Sequence, residues 1–119
     1  MRFMLMMHLN PRLFESLTEA QRGEVYRGHE ELIRIVTESG ELVSTVALAD
    51  PANTVTVRVR DGAAETVTGP HREDEEFVCG YYLVDCDSTE RAVELAALIP
   101  DARYAPVEVR PLMHEGGPE

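Results

Sequence analysis

Lysine is absent from this chain, and all eleven basic residues are arginines. That excludes Schiff-base formation on a lysine, a phosphate-binding P-loop lysine and a lysine general base. Positive charge is scarce altogether: 11 basic against 22 acidic residues leave a net charge of −11. Nucleic acid and anionic membranes both need a basic face, so neither is expected as a partner. Long apolar runs are missing too, and no stretch approaches the roughly 20 residues that cross a bilayer. Met1 to Leu9 is apolar but too short for a signal-peptide core, and no cleavage-like segment follows it. A soluble cytoplasmic protein is expected.

Cysteine is limited to Cys79 and Cys86, seven apart in or beside one strand. An odd separation sends two strand side chains to opposite faces, so the pair is not expected to form a disulfide. Neither has a CxxC partner for zinc, and two small buried residues are expected rather than reactive thiols. His8, His29 and His71 lack any local pairing such as HxH or HxxxH. No metal and no cofactor is therefore implied.

What is present is ordinary globular material. The 119 residues are 44% hydrophobic and 28% charged, enough for one domain with one core that hides roughly two-thirds of the chain's surface. Arg2 to Leu9 reads as a buried strand ended by Asn10–Pro11, and a short loop leads to Thr18. Thr18 with Gln21 fits a capping box, as does Ser16 with Glu19, so a long helix begins within that stretch, runs to about Ser39 and stops at Gly40. Val25, Leu32, Ile33 and Val36 form its apolar stripe, and His29 lies inside that stripe.

Glu41 to Leu48 is a second strand, and Thr54 to Arg60 alternates strictly between valine and polar residues. Asp61–Gly62 is a two-residue hairpin signal, with Ala63 to Thr68 as the returning strand. After a polar loop, Phe77 to Asp85 is a nearly continuous apolar strand, expected near the sheet centre. Asp87 or Ser88 caps a second helix to about Ile99, with Ala92, Val93, Ala96 and Ile99 inward; Tyr104 to Leu112 is the last strand. The expected domain spans residues 1–113, followed by a flexible Gly/Pro-rich tail at 114–119. This order predicts an α+β fold: a ferredoxin-like βαββαβ sheet with an inserted β-hairpin and both helices on one face. Such a sheet leaves one face open, and an apolar open face makes a homodimer the expected state.

The chain resembles the YCII-related superfamily, in the branch named for its Asp-Gly-Pro-Phe (DGPF) motif. The likeness is carried by the apolar first strand, Ser-Gly-Glu-Leu after the long helix, and Thr-Val-Arg-Val-Arg-Asp-Gly at 56–62. It continues with Gly-Pro at 69–70, Gly-Tyr-Tyr-Leu-Val-Asp at 80–85 and Val-Glu-Val-Arg-Pro at 107–111. The resemblance implies a dimeric α/β barrel with a pocket between sheet and helix. It also implies acid–base chemistry on a small molecule by a helix histidine paired with an aspartate. His29 falls at the helix position, and Asp101 is the nearest aspartate, in a loose local match. The name-giving motif itself reads Thr68-Gly69-Pro70-His71, so an acid is lost and an imidazole gained.

Each candidate has two readings. His29 is either a proton carrier, suited to pH 7 by its imidazole, or a core residue with a satisfied hydrogen bond. His71 is a second acid–base group or an exposed loop residue, with Pro70 beside it. The acidic run from Glu73 to Glu76 reads as a solvated loop. His8 ends the first strand, where it would line the pocket mouth. Arg58 and Arg60 share a strand face that would clamp a carboxylate or simply form salt bridges. Tyr81 and Tyr82 point to opposite faces, so one reaches the pocket. The favoured function is a small-molecule enzyme of the lyase, isomerase or hydrolase type with acid–base groups His29, Asp101 and His71 and substrate contacts His8, Arg58, Pro70 and Tyr82. The alternatives are a non-catalytic small-molecule binding protein and a dimeric interaction module.

Overall fold

In the first strand, Phe3, Leu5 and Met7 alternate with more exposed neighbours and are buried. This strand, β1 (Arg2–Leu9), is one of the two central strands of the sheet. The computed structural model describes residues 1–118; Glu119, the last residue of the expected tail, lies outside them. Four strands form an antiparallel sheet in the order β2 (Leu42–Ala47), β5 (Phe77–Asp85), β1, β6 (Val107–Pro111). With helices α2 (Glu19–Glu38) and α3 (Thr89–Ala97) packed on one face, the mixed α+β architecture is compatible with a ferredoxin-like fold. Leu32 and Val36 from α2, and Ala92, Leu95 and Ala96 from α3, meet Phe3, Leu5, Tyr82 and Val84 in one core.

The helix boundaries follow from their caps. Thr18 Oγ1 accepts from Gln21 N at 3.1 Å, and the Gln21 side chain returns the bond to Thr18 N at 2.9 Å, closing the capping box of α2. Gly40, at φ 77°, ends that helix. Ser88 caps α3 by accepting from Arg91 N, and Arg91 reaches across to Glu41 at 2.9 Å, tying α3 to the start of β2.

Four expectations need correction. The segment before Thr18 is a helix rather than a loop: α1 (Pro11–Ser16) starts because Asn10 Oδ1 caps Arg12 N at 2.9 Å and Pro11 occupies the first turn, where its missing N–H costs nothing. Val93 does not face inward but is 52% exposed. Ala92, Leu95, Ala96 and Ile99 are the buried set, three and four apart, and Val93 lies off that stripe. The last strand begins at Val107, because the chain first makes a 3-10 turn at Pro100–Arg103 in which Tyr104 N donates to Asp101 O.

Finally, Cys79 and Cys86 do not lie on opposite faces. Met7 pairs with Gly80 but His8 pairs with Val78, so Cys79 is an extra residue in β5. This bulge breaks the two-residue alternation and turns Cys79 toward the helix side, where Cys86 is already buried in the core. Both thiols are free.

Between β2 and β5, β3 (Val55–Arg60) and β4 (Ala63–Thr68) form a separate two-stranded ribbon. Asp61 and Gly62 turn it with positive φ values of 49° and 79°. The ribbon stands off the body: Val57, in the middle of β3, is 61% exposed. The radius of gyration is 16.3 Å, against about 13.5 Å for a compact chain of this length.

Candidate active site

Gly28 brings α2 against the Pro100–Arg103 turn. A Cβ at Gly28 would lie 2.3 Å from Pro100 Cγ, so only a residue without a side chain permits this approach. The next residues on each side are His29 and Asp101, and they meet: His29 Nε2 lies 2.7 Å from Asp101 Oδ1. On the other side of the ring, His29 Nδ1 is 2.6 Å from the Tyr82 hydroxyl, and the two rings stack with centroids 5.8 Å apart. The bulged Cys79 completes the group, its thiol donating to Asp101 Oδ2 at 3.8 Å. Asp101 is 7% exposed and is the one buried charged residue among those described.

The proton positions follow from which groups accept only. A carboxylate has no donor, so Nε2 carries the proton toward Asp101 and Nδ1 of the neutral ring is the acceptor. Tyr82 must then donate. Burial, together with the Asp101 charge, pushes its phenol up to about 12, which keeps that proton in place at neutral pH. The same two causes push the Cys79 thiol up to about 11. Cys79 is therefore a neutral donor, not a thiolate nucleophile. The result is a directed chain from Tyr82 through His29 to Asp101.

This chain forms part of the wall of a cavity of about 500 Å³, within the size range of small-molecule sites. The cavity lies between α2 and the β2–β5 side of the sheet, where Thr45, Val46, Ala47 and Leu48 form the opposite wall. Beside that wall, β5 pairs so closely with β2 at Gly80 that a Cβ there would meet Val46 O at 2.3 Å. Phe14 and Tyr26 contribute aromatic rings from α1 and α2.

The candidate residues thus fall into three places. His29, Asp101 and Tyr82 share this cavity. Arg58, Pro70 and His71 line a separate groove of about 240 Å³ along the ribbon, with Arg60 and Glu65. His8 is outside both and pairs with Glu108 Oε1 at 3.0 Å. Cys79, Phe14, Tyr26 and the wall at Thr45 to Leu48 are among the cavity residues that sequence patterning missed: Cys79 is hidden by the bulge, while Phe14 had a signal in Asn10–Pro11. Among the described residues, no group of three or more His, Cys, Asp or Glu side chains is placed to hold a metal ion.

The relation to known proteins runs through this whole arrangement, since residues 1–115 match the YCII-related domain. The chain belongs to the YCII-related family. A relative in Rhizobium meliloti (strain 1021), itself an uncharacterized protein, is 32% identical over 104 residues, covering 82% of this chain and 84% of the relative. Every residue of the Tyr82–His29–Asp101–Cys79 cluster falls within the YCII-related match. Among the described residues, no helix is long and apolar enough to cross a membrane.

Proposed function

We propose that this YCII-related protein is a cofactor-independent small-molecule enzyme in which His29 moves a proton, in a lyase, isomerase or hydrolase step. The observation that carries the reading is the position of His29, bonded to Asp101 at one nitrogen and to Tyr82 at the other, on the wall of a cavity of about 500 Å³. Asp101 holds the ring in one orientation and makes Nδ1 the more basic nitrogen. A substrate bonded to the Tyr82 hydroxyl passes its proton to Oη while the phenolic proton moves to Nδ1. A substrate that displaces Tyr82 gives its proton to Nδ1 directly. Either route ends in an imidazolium paired with Asp101 and an anionic substrate fragment beside it.

The reading also takes the protein as a cytoplasmic homodimer of the α/β-barrel type. Two free thiols suit a reducing compartment. The face of the sheet opposite the helices carries the half-exposed Met4, Met6, Tyr81 and Leu83. The ribbon exposes Val55, Val57 and Val59, and a lone two-stranded ribbon is marginal in water. A second copy would cover such surfaces.

A second reading, a binding protein with the same pocket, is favoured by one observation: both nitrogens of His29 already have protein partners. One experiment separates the two. The protein is incubated in D2O with a panel of carbonyl compounds bearing acidic C–H groups, and exchange of those protons is followed by NMR. The enzyme reading expects exchange above the buffer rate for at least one compound, falling about 100-fold in His29→Gln, the size of one general acid–base contribution. Compounds that bind without exchanging would favour the binding protein.

A further inference from the structure

We infer that the cavity takes an uncharged, mostly apolar small molecule and rejects carboxylates and phosphates of the same shape. The inference deepens the acid–base reading and rests on the same cavity. Its lining is dominated by Leu9, Phe14, Val25, Tyr26, Ile33 and Leu48. Among the described residues that line it, none is an arginine, and the chain contains no lysine. The charge in the wall is negative: the Asp101 carboxylate, held by His29 and Cys79. An anion entering here would give up its hydration, gain no cationic partner, and face a like charge in a poorly solvated space. The arginines that would suit an anion, Arg58 and Arg60, line the ribbon groove instead.

A cation is a weaker fit than a neutral molecule. Both Asp101 oxygens are already engaged, Oδ1 by His29 and Oδ2 by Cys79, so an ammonium would have to break one of those bonds to reach the charge. A neutral ring with one hydroxyl or carbonyl leaves the cluster intact and fills the apolar remainder. The proposed chemistry agrees with this. A neutral substrate becomes anionic only after its proton has made His29 an imidazolium, so the attraction appears as the reaction proceeds.

Three probes of nearly equal shape test the inference: benzamide, benzoate and benzylammonium, titrated into the full chain while the His29 ring resonances are followed by NMR. Benzamide is expected to shift them saturably, with the other two at least tenfold weaker. Leu48→Arg places a cation at an exposed position of the wall, so folding should survive, and benzoate should gain at least tenfold there. Benzoate or benzylammonium matching benzamide in the wild type would overturn the inference, as would silence of the ring with all three. If benzamide binds best but no C–H exchange is found, the ligand class stands and only the catalytic reading falls.

Discussion

Gly28 and Pro100 approach so closely that a single Cβ on Gly28 would lie 2.3 Å from the proline ring. One residue further along each segment, His29 and Asp101 form their 2.7 Å contact. The helix–turn packing and the histidine–aspartate pair are thus one feature: backbone contact sets the separation, and the side chains occupy it.

Gly28→Ala is expected to destabilise the fold and loosen that pair. Overpacking costs roughly 1–3 kcal/mol, offset by up to about 1 kcal/mol because alanine favours helix over glycine. Urea unfolding should show a lower midpoint, and the His29 ring resonances should move. A midpoint at or above wild type would show that Pro100 yields freely.

Tyr82→Phe removes a hydroxyl 2.6 Å from His29 Nδ1 but keeps the ring that stacks on the imidazole. The part-buried nitrogen loses its donor, at an expected cost of about 1–3 kcal/mol in urea unfolding. If stability is unchanged, the hydroxyl contributes nothing that water cannot replace.

Alkaline pH should weaken the fold through the same cluster. Cys79 and Tyr82 are acids whose folded values, about 11 and about 12, lie above their ordinary 9.0 and 10.0. In that window the unfolded chain releases protons that the folded chain retains, so unfolding is favoured as pH rises. The contribution is complete below pH 9 and is lost by about pH 12. Urea midpoints measured from pH 8 to 11 should fall, and the double change Cys79→Ala with Tyr82→Phe should flatten the slope. Identical slopes in both proteins would contradict the assignment.

The ribbon makes a prediction about assembly. Sedimentation of the wild type should show a dimer, and the triple change Val55→Thr, Val57→Thr, Val59→Thr should weaken it at least about fiftyfold. That follows from losing about 0.8 kcal/mol for each buried methyl. A monomeric wild type, or a variant that dimerises equally well, would remove the ribbon from the interface.

Much of this architecture is legible in the residues themselves. Strict alternation marks β3, the Asp61–Gly62 turn marks its hairpin, and the capping box marks the start of α2, because each is a local signal. His29 is visible as a histidine in an apolar stripe. Asp101 is not visible that way: its meeting with His29 depends on contacts between residues 72 apart, and only the family resemblance pointed to it. Cys79 is hidden for another reason, since a bulge shifts facing by one residue without changing composition. Arg58, Pro70 and His71 cluster, as chain proximity suggests, but on the ribbon side and away from the cavity that His29 lines.

Asp101 holds the Nε2 proton of His29 and leaves Nδ1 as the acceptor toward Tyr82. Long-range nitrogen–proton NMR spectra of the His29 ring, recorded at neutral pH for the wild type and for Asp101→Asn, test it most directly. The wild-type ring is expected to carry its proton on Nε2 with Nδ1 as an acceptor, and Asp101→Asn is expected to disturb this preference. A ring protonated on Nδ1, or one indifferent to the loss of the carboxylate, would contradict it.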